Sequence, residues 1–440
     1  MSSRRSLQVI TLGCSKNTVD TSHLLAMVQG DFAIVPEAES DASVDYLLLN
    51  TCGFIGDAKK ESIDAIFEAV ARKKSGQAGK IIVFGCLSQR YMDSLPELIP
   101  EVDGWFGARD LMPVVKALGV KPSGLSTRYS EGLSSYAYLK ISEGCDRRCS
   151  YCAIPLIRGR HRSVPMEDLV AEARELAGRG VKELIIIAQD STFYGLDLYG
   201  KRMLAPLLRA LSEVQGIEWL RIHYSYPADF PEDVLEEMAS NPKVCKYLDI
   251  PLQHVADPVL DAMHRHVTSA WTRELVGKLR ARVPGIVLRT TMMVGHPGEG
   301  RKEFLELLDF LREARFERLG AFEYSEEEGT FGAKNLRDSV APATKRRRLA
   351  ALMEEQRGIS MEFNRSRVGS TEIVLVDALA PDGTLVCRSR YESPEVDGEI
   401  LVGSCPETIA LGDGIIGNFL KVKIVSADEY DLAAECIEVL

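Results

Sequence analysis

Six short apolar runs alternate with amphipathic stretches between Tyr136 and Ser325, and no other feature narrows the possible folds as far. The runs span residues 136–141, 183–187, 219–223, 247–250, 287–294 and 319–324, with helical patterns at 166–177, 204–214, 233–238, 271–282 and 302–315 between them. Strands joined through a helix pair in parallel, because the crossover returns the chain to the same end of the sheet. Six such units predict an α/β architecture, an incompletely closed (βα)6 barrel. Its strand carboxyl ends share one mouth, the face that carries active sites in closed eight-fold barrels.

The first third repeats this logic on a smaller scale. Runs at 7–12, 46–49 and 80–84 are separated by helical patterns at 19–28 and 58–72, which predicts a parallel-sheet α/β domain. Each run ends in a cysteine: Thr-Leu-Gly-Cys at Cys14, Leu-Asn-Thr-Cys at Cys52 and Phe-Gly-Cys at Cys86. The carboxyl ends of strands in an open parallel sheet share one edge, where ligands bind, so the three thiols are expected to meet in space. From spacing alone two readings stay open: three thiols buried in sheet ends, or three ligands of a metal cluster.

Directly after the first barrel strand comes Glu-Gly-Cys-Asp-Arg-Arg-Cys-Ser-Tyr-Cys, which holds Cys145, Cys149 and Cys152. Four-iron clusters ordinarily take four cysteine thiolates, so a compact three-cysteine loop leaves one iron open to a small molecule. The competing readings are a chance grouping of cysteines or a structural zinc knuckle, which requires a fourth ligand. His161, nine positions beyond Cys152, is the candidate for it.

Ten cysteines in 440 residues, with 45% hydrophobic residues, fit a multidomain chain with ordinary cores in a reducing compartment. No apolar run approaches the length of a membrane span, and Met-Ser-Ser-Arg-Arg-Ser-Leu-Gln-Val-Ile leads straight into a strand pattern. A cytoplasmic location without membrane contact is therefore expected. Cys245, Cys387, Cys405 and Cys436 carry no positional logic and read as buried or incidental thiols. A basic helical stretch at 343–363, with Lys345, Arg346, Arg347 and Arg348 in a row, reads as a solvated connector. Beyond Gly369 the pattern shortens to strands at 371–376, 384–388, 414–425 and 433–439, broken by Pro381-Asp382-Gly383 and Leu411-Gly412-Asp413-Gly414. That predicts a small β-barrel. Domains are expected at 1–130, 131–368 and 369–440.

The spacing of Cys145, Cys149 and Cys152, with Tyr151 directly before the last, resembles the radical S-adenosylmethionine (SAM) enzymes. In that family the open iron chelates SAM, and an electron from the cluster splits it to a 5'-deoxyadenosyl radical, chemistry that the cofactor carries and the protein orients. The resemblance widens with Gly-Cys-Ser-Lys-Asn at Cys14, Asn-Thr-Cys-Gly-Phe at Cys52 and the terminal barrel. Together these are similar to the methylthiotransferases, which join a cluster-bearing N-terminal domain, a radical-SAM barrel and a TRAM domain. Ala-Gln-Asp-Ser-Thr-Phe-Tyr-Gly at 188–195 and Phe-Glu-Tyr-Ser-Glu-Glu-Glu-Gly-Thr at 322–330 resemble the RimO type. Val-Gly-His-Pro-Gly-Glu at 294–299 departs from the family, with His296 where phenylalanine is usual; the substitution is read as neutral.

The resemblance implies two 4Fe-4S clusters, on Cys14, Cys52 and Cys86 and on Cys145, Cys149 and Cys152. It implies two uses of SAM: as methyl donor to sulfur held at the N-terminal cluster, and as source of the radical that removes hydrogen from an unactivated C–H bond. The product expected is a methylthio group on the β-carbon of an aspartate in a small-subunit ribosomal protein. An external electron donor and a sulfur source are required. Tyr151 is placed to pack near the adenine. Gln189, Gln253 and Arg289, at or near strand ends, are candidate SAM-binding groups, each of which could instead satisfy a loop or pair with a carboxylate. Asp190, His223, Ser225 and His254 stand second. No catalytic residue beyond the cluster ligands is assigned.

Close relatives modify an adenosine in transfer RNA, the alternative substrate, and charge separates the two. Residues 370–440 carry four basic residues (Arg388, Arg390, Lys421, Lys423) against fourteen acidic ones. Their net charge of −10 accounts for nearly all of the chain's −11. Phosphate recognition needs lysine and arginine, whereas an acidic module attracts a basic ribosomal protein. Nucleic-acid contact through this barrel is not expected; solubility is the bland alternative reading of the acidity.

Overall fold

The computed structural model describes residues 4–39, 41–122, 124, 126–129, 132, 134–403, 408 and 412–440. Cys405 and Leu411 lie outside them. Three sheets carry the architecture, and the chain divides into two compact units. The first comprises Met1–Gly132, Ser142–Arg162 and Glu327–Thr330; the second comprises Leu133–Ile141, Ser163–Glu326 and Phe331–Leu440. The cysteine loop thus belongs with the N-terminal sheet, and the terminal barrel with the six-stranded one.

In the first unit the sheet order is Phe32–Val35, Arg5–Thr11, Val44–Thr51, Ala78–Gly85, Gly104–Trp105, parallel throughout. The three central strands are those expected from the sequence. The two edges were not, since strands of four and two residues are too short to display a period. Helices Ser15–Val28 and Gly56–Lys74 begin within a few residues of strand ends and pack opposite faces of the sheet into two cores. One core is built on Leu24, Leu48 and Phe84, the other on Leu47, Ile66 and Val83.

In the second unit six parallel strands run in the order Arg318–Glu323, Val287–Val294, Val244–Asp249, Trp219–Ile222, Glu183–Ile187, Tyr136–Lys140. Alternate residues divide between two environments, as the pleat requires. Leu139, Leu184, Ile186, Leu220, Ile222 and Leu288 join the apolar core shared with the helices. The residues between them meet the terminal module instead. Arg221 donates to the carbonyls of Ser389 and Arg390, Tyr247 to Asp397, Tyr136 and Tyr138 to Glu395, and His223 pairs with Ser393 at 2.8 Å.

The terminal module is a closed five-stranded barrel: Thr371–Leu379, Leu385–Arg388, Ile400–Val402, Leu432–Val439 and Phe419–Ala427 in order around it. Two details differ from expectation. Ile400–Val402 is an extra strand, three residues long. The expected strand at 414–425 begins only at Phe419, because Gly417 takes a positive φ of 85° and the Asn418 amide binds the Gly414 and Ile415 carbonyls.

Buried charge joins this barrel to the sheet. Glu183, fully buried, lies between Arg221 at 2.6 Å and Arg388 at 2.8 Å, and Arg388 also binds Asp377. Glu392 lies between Arg318, at 2.8 Å, and Arg367. Burial alone would raise the Glu392 carboxyl, but the two guanidiniums outweigh it and hold the group at about 2. The basic run on helix Pro342–Arg367 is likewise not all solvated: Lys345 and Arg348 are buried, bound to Asp338 and Glu299 at 2.6 and 2.7 Å. Helical spacing turned these two of the four charges inward. Cys245 and Cys387 are buried.

His296 is fully buried and stacks edge-on against Tyr324 at 4.9 Å, while its Nδ1 meets the Pro297 carbonyl at 2.8 Å. The ring therefore packs as an aromatic with one polar atom satisfied. Burial lowers its pKa to about 4.

Two outcomes are expected. Glu392→Gln should lower stability at pH 7 by about 3–5 kcal/mol, the usual consequence of removing one partner of a buried pair. Because the folded-state pKa is depressed, the wild-type advantage is complete above the unfolded value of 4.5 and fades as pH falls towards about 2; melting temperatures of both proteins against pH would check this. For His296 the unfolded chain takes up the proton first, so stability drops as pH falls from 6.5 towards 4. His296→Phe should abolish that share of the slope, seen as a smaller loss of melting temperature between pH 7 and pH 5.

Candidate iron–sulfur centres and the strand-end residues

Each cysteine of the N-terminal triad stands where a strand gives way to a helix. Cys14 caps helix Ser15–Val28, its carbonyl accepting from the Asn17 and Thr18 amides; Cys86 opens helix Cys86–Arg90. Cys52 leads into helix Gly56–Lys74, and its amide donates to Ser62 Oγ, which donates back to the Cys52 carbonyl, both at 2.9 Å. Helix amino termini present unpaired N–H groups and a positive dipole end, which favour anionic sulfur.

Asn17 ties the three turns together. Its amide donates to the carbonyls of Leu12 and Thr51, just ahead of Cys14 and Cys52, while its Oδ1 lies 3.9 Å from the Cys86 sulfur. Thr51 Oγ1 donates to the Phe84 carbonyl at 2.7 Å, fixing the second turn to the third. The packing also requires glycine at the first turn. A Cβ on Gly13, whose φ is +96°, would fall 2.7 Å from the Cys52 Cβ and 2.9 Å from its sulfur. The three cysteine turns expected to meet do so: Asn17 contacts all of them, and Gly13, beside Cys14, packs directly on Cys52.

The loop with Cys145, Cys149 and Cys152 lies in the same unit. The Cys145 amide binds the Gly159 carbonyl at 3.1 Å and the Cys152 amide the Cys149 carbonyl, so the loop is closed at its base and turned at its tip. Immediately beyond, Ala153 and Ile157 pack with Cys86 and Ala108 in one buried apolar cluster. The two cysteine triads are therefore neighbours.

Arg158 links them. Its Nε donates to Cys86 Sγ at 3.2 Å, its Nη2 to Asn17 Oδ1 at 2.6 Å, and its Nη1 to Asp20 at 2.7 Å and Glu143 at 3.0 Å. Burial opposes its charge, but Asp20, Cys86 and Glu143 raise its pKa well above the ordinary value. As a free thiol Cys86 is pushed up to about 11 by burial, against the pull of Arg158, and burial raises Cys52 as well. Metal ligation would replace the proton on these sulfurs.

The set fits iron–sulfur ligation: Cys14 and Cys86 at helix amino termini, an arginine N–H directed at the Cys86 sulfur and tight glycine packing against Cys52. Among the described residues no three His, Cys, Asp or Glu side chains gather closely enough to share a single ion. A cubane does not ask for that, because each of its cysteines binds a different iron.

At the strand ends of the second unit the sequence-derived candidates fall in differing surroundings. Gln253 is buried at a positive φ of 71°, its backbone paired with Thr291 and Met293, and its Oε1 has no hydrogen-bond partner among the described residues. A buried acceptor without a partner is expected to meet one from a ligand. Gln189 is half-buried two residues past strand Glu183–Ile187. Arg289 is the third residue of strand Val287–Val294, not its end. It is level with Asp249, to which it is bound at 2.9 Å. Asp190 caps the turn Ser191–Phe193 through Thr192, and Ser225 pairs with Ser191 at 3.2 Å. His254 accepts from the Ala256 amide, and its Nε2 lies 3.6 Å from Glu299. Sequence reasoning missed Arg158, Asn17, Asp20 and Ser62. Arg158 follows the cysteine loop by six residues, but nothing in the linear chain ties it to Cys86.

Family models match three stretches: the Radical SAM superfamily over 139–311, the Uncharacterized protein family UPF0004 over 6–107, and the TRAM domain over 368–437. Proteins named ribosomal protein uS12 methylthiotransferase RimO are similar over their whole length. That of Porphyromonas gingivalis is 48% identical over 99% of this chain and 100% of its own, and that of Bacteroides fragilis 46% over the same shares. Among solved structures, the radical S-adenosylmethionine methyltransferase TsrM from Kitasatospora setae shares the fold, with a TM-score of 0.56 at 14% identity over 73% of this chain and 75% of its own. The matched cysteine turns, the parallel sheets, the terminal barrel and full-length identity near one half agree: this chain is a radical-SAM enzyme and belongs to the RimO methylthiotransferases.

Proposed function

We propose that the chain attaches a methylthio group to the β-carbon of an aspartate in ribosomal protein uS12, using SAM and two 4Fe-4S clusters. The observation that carries the reading is the meeting of Cys14, Cys52 and Cys86 beside the Cys145–Cys152 loop, a second three-thiolate set with an iron left open. The names of the full-length relatives support the substrate. A substrate that belongs to the ribosome supports a cytoplasmic location, and no helix among the described residues is long and apolar enough to cross a membrane.

When bound, the clusters and SAM supply the sulfur, the methyl group and the radical that takes hydrogen from the substrate carbon. The chain's own residues hold and shield. Cys145, Cys149 and Cys152 hold one cluster and Cys14, Cys52 and Cys86 the other. Asn17, Ser62 and Arg158 fix the second set in place. Gln253 offers its unpartnered Oε1 to a donor on SAM, with Gln189 and Tyr151 as further cofactor contacts; Arg289, committed to Asp249 well before its strand end, is not among them. Electrons and sulfur come from outside the chain.

Charge supports a protein rather than a nucleic-acid substrate. Of the four basic residues in the terminal module, Arg388 is buried in ion pairs with Glu183 and Asp377. Its cation is unavailable to phosphate, while Glu435 and Glu438 lie exposed on strand Leu432–Val439. An acidic surface of this kind speeds encounter with a basic partner.

Mass spectrometry of uS12 and of transfer RNA from a deletion strain tests the substrate. The methylthio group is expected to vanish from the protein alone; its loss from RNA alone would overturn the reading. Anaerobic reconstitution should give about eight irons per chain, halved when Cys14, Cys52 and Cys86 are all replaced by alanine. Gln253→Ala should weaken SAM binding by about 1–2 kcal/mol, roughly 5- to 30-fold in Kd by titration calorimetry.

A further inference from the structure

Arg158 is the one buried cation bonded to a sulfur of the N-terminal triad among the described hydrogen bonds, and it is delivered by the loop of the other triad. Its guanidinium is fully committed: Nε to Cys86, Nη2 to Asn17, Nη1 to Asp20 and Glu143, with the Ala108 carbonyl at 3.3 Å. Purely structural arginines bind carboxylates and carbonyls; this one spends a directed N–H on a thiol. A planar fork is needed to reach the sulfur, the amide and the carboxylates at once, which a lysine cannot do.

We infer that Arg158 is a positioning residue that sets the reduction potential of the N-terminal cluster, by placing a buried positive charge and a directed hydrogen bond on the Cys86 sulfur. The inference rests on the reading of Cys14, Cys52 and Cys86 as ligands of that cluster. Iron–sulfur potentials follow net charge and hydrogen bonds to the sulfurs. One-electron reduction adds a negative charge, which a neighbouring cation stabilises, so Arg158 raises the potential. Asp20, at the far side of the same guanidinium, acts in the opposite sense. Arg158 leaves the loop that carries Cys145, Cys149 and Cys152, so a shift of that loop would alter the charge felt at Cys86. The potential of one cluster is thereby tied to the seating of the other's loop.

The test uses the full chain with Cys145, Cys149 and Cys152 replaced by alanine, reconstituted anaerobically so that only the N-terminal cluster is present, and titrated potentiometrically by electron paramagnetic resonance. Adding Arg158→Gln should move the midpoint to a more negative potential at unchanged iron content, with Arg158→Lys between it and the parent. Adding Asp20→Asn should move it to a more positive one. A residue with only a packing role would not give opposite signs in the two variants. A midpoint unmoved by Arg158→Gln at full iron content overturns the inference. If Arg158→Gln fails to retain iron, Asp20→Asn decides, and the absence of a positive shift there overturns it. A parent that binds no iron would instead sink the cluster reading itself, and the inference with it.

Discussion

Parallel pairing is the constraint from which the N-terminal centre follows. Cys14, Cys52 and Cys86 are separated by more than thirty residues each, yet every crossover returns the chain to the same end of the sheet, so a cysteine just past each strand must arrive at a common edge. The register pairs Ile10 with Leu49 and Leu49 with Val83, which leaves the three turns level. An antiparallel arrangement of the same strands would send the middle cysteine to the opposite end. The side chains then refine what topology has brought near: Asn17 spans the turns, Thr51 locks two of them, and Gly13 permits the first to touch the Cys52 thiol.

Much of this was legible in the chain. Apolar runs bounded by glycine and cysteine marked the central strands, because buried parallel strands read as unbroken hydrophobic stretches. The cysteines stood out by position, three in one compact loop and three at strand ends, though spacing alone left the second set open between ligands and buried thiols. The edge strands Phe32–Val35 and Gly104–Trp105 did not, since two to four residues carry no periodicity. Arg158 was illegible for a different reason: its partners are 15 to more than 130 residues away in sequence, and an arginine near a helix looks the same whether it faces water or sulfur. Lys345 and Arg348 misled in the same way, as half of a basic run that turned inward to Asp338 and Glu299. Arg289 was placed by its nearness to a strand, but a strand of eight residues puts its third member well before the end.

The second unit shows how charge can serve as a joint. Buried ion pairs contribute little net stability compared with well-packed apolar groups, yet they penalise every misaligned arrangement heavily. Glu183 and Glu392 each accept two arginines drawn from distant parts of the chain, and each pair of arginines includes one from the sheet. The terminal barrel is thus located by these directional contacts together with a buried apolar cluster of Trp219, Tyr247 and Val287 on the sheet against Leu375 and Phe419 on the barrel.

That joint limits how the gene can be rearranged. A TRAM module that merely hung from a tether could be lost, duplicated or exchanged between proteins with little harm. Here the stretch from Ser389 to Asp397 supplies hydrogen-bond partners to the buried strand residues Arg221, Tyr247 and Arg318. Recombination that swapped the module without a matching stretch would leave Arg318 without the Glu392 carboxylate and Arg221 without two of its carbonyl acceptors. A replacement barrel would have to present the same carbonyls and carboxylates at the same places along this joint.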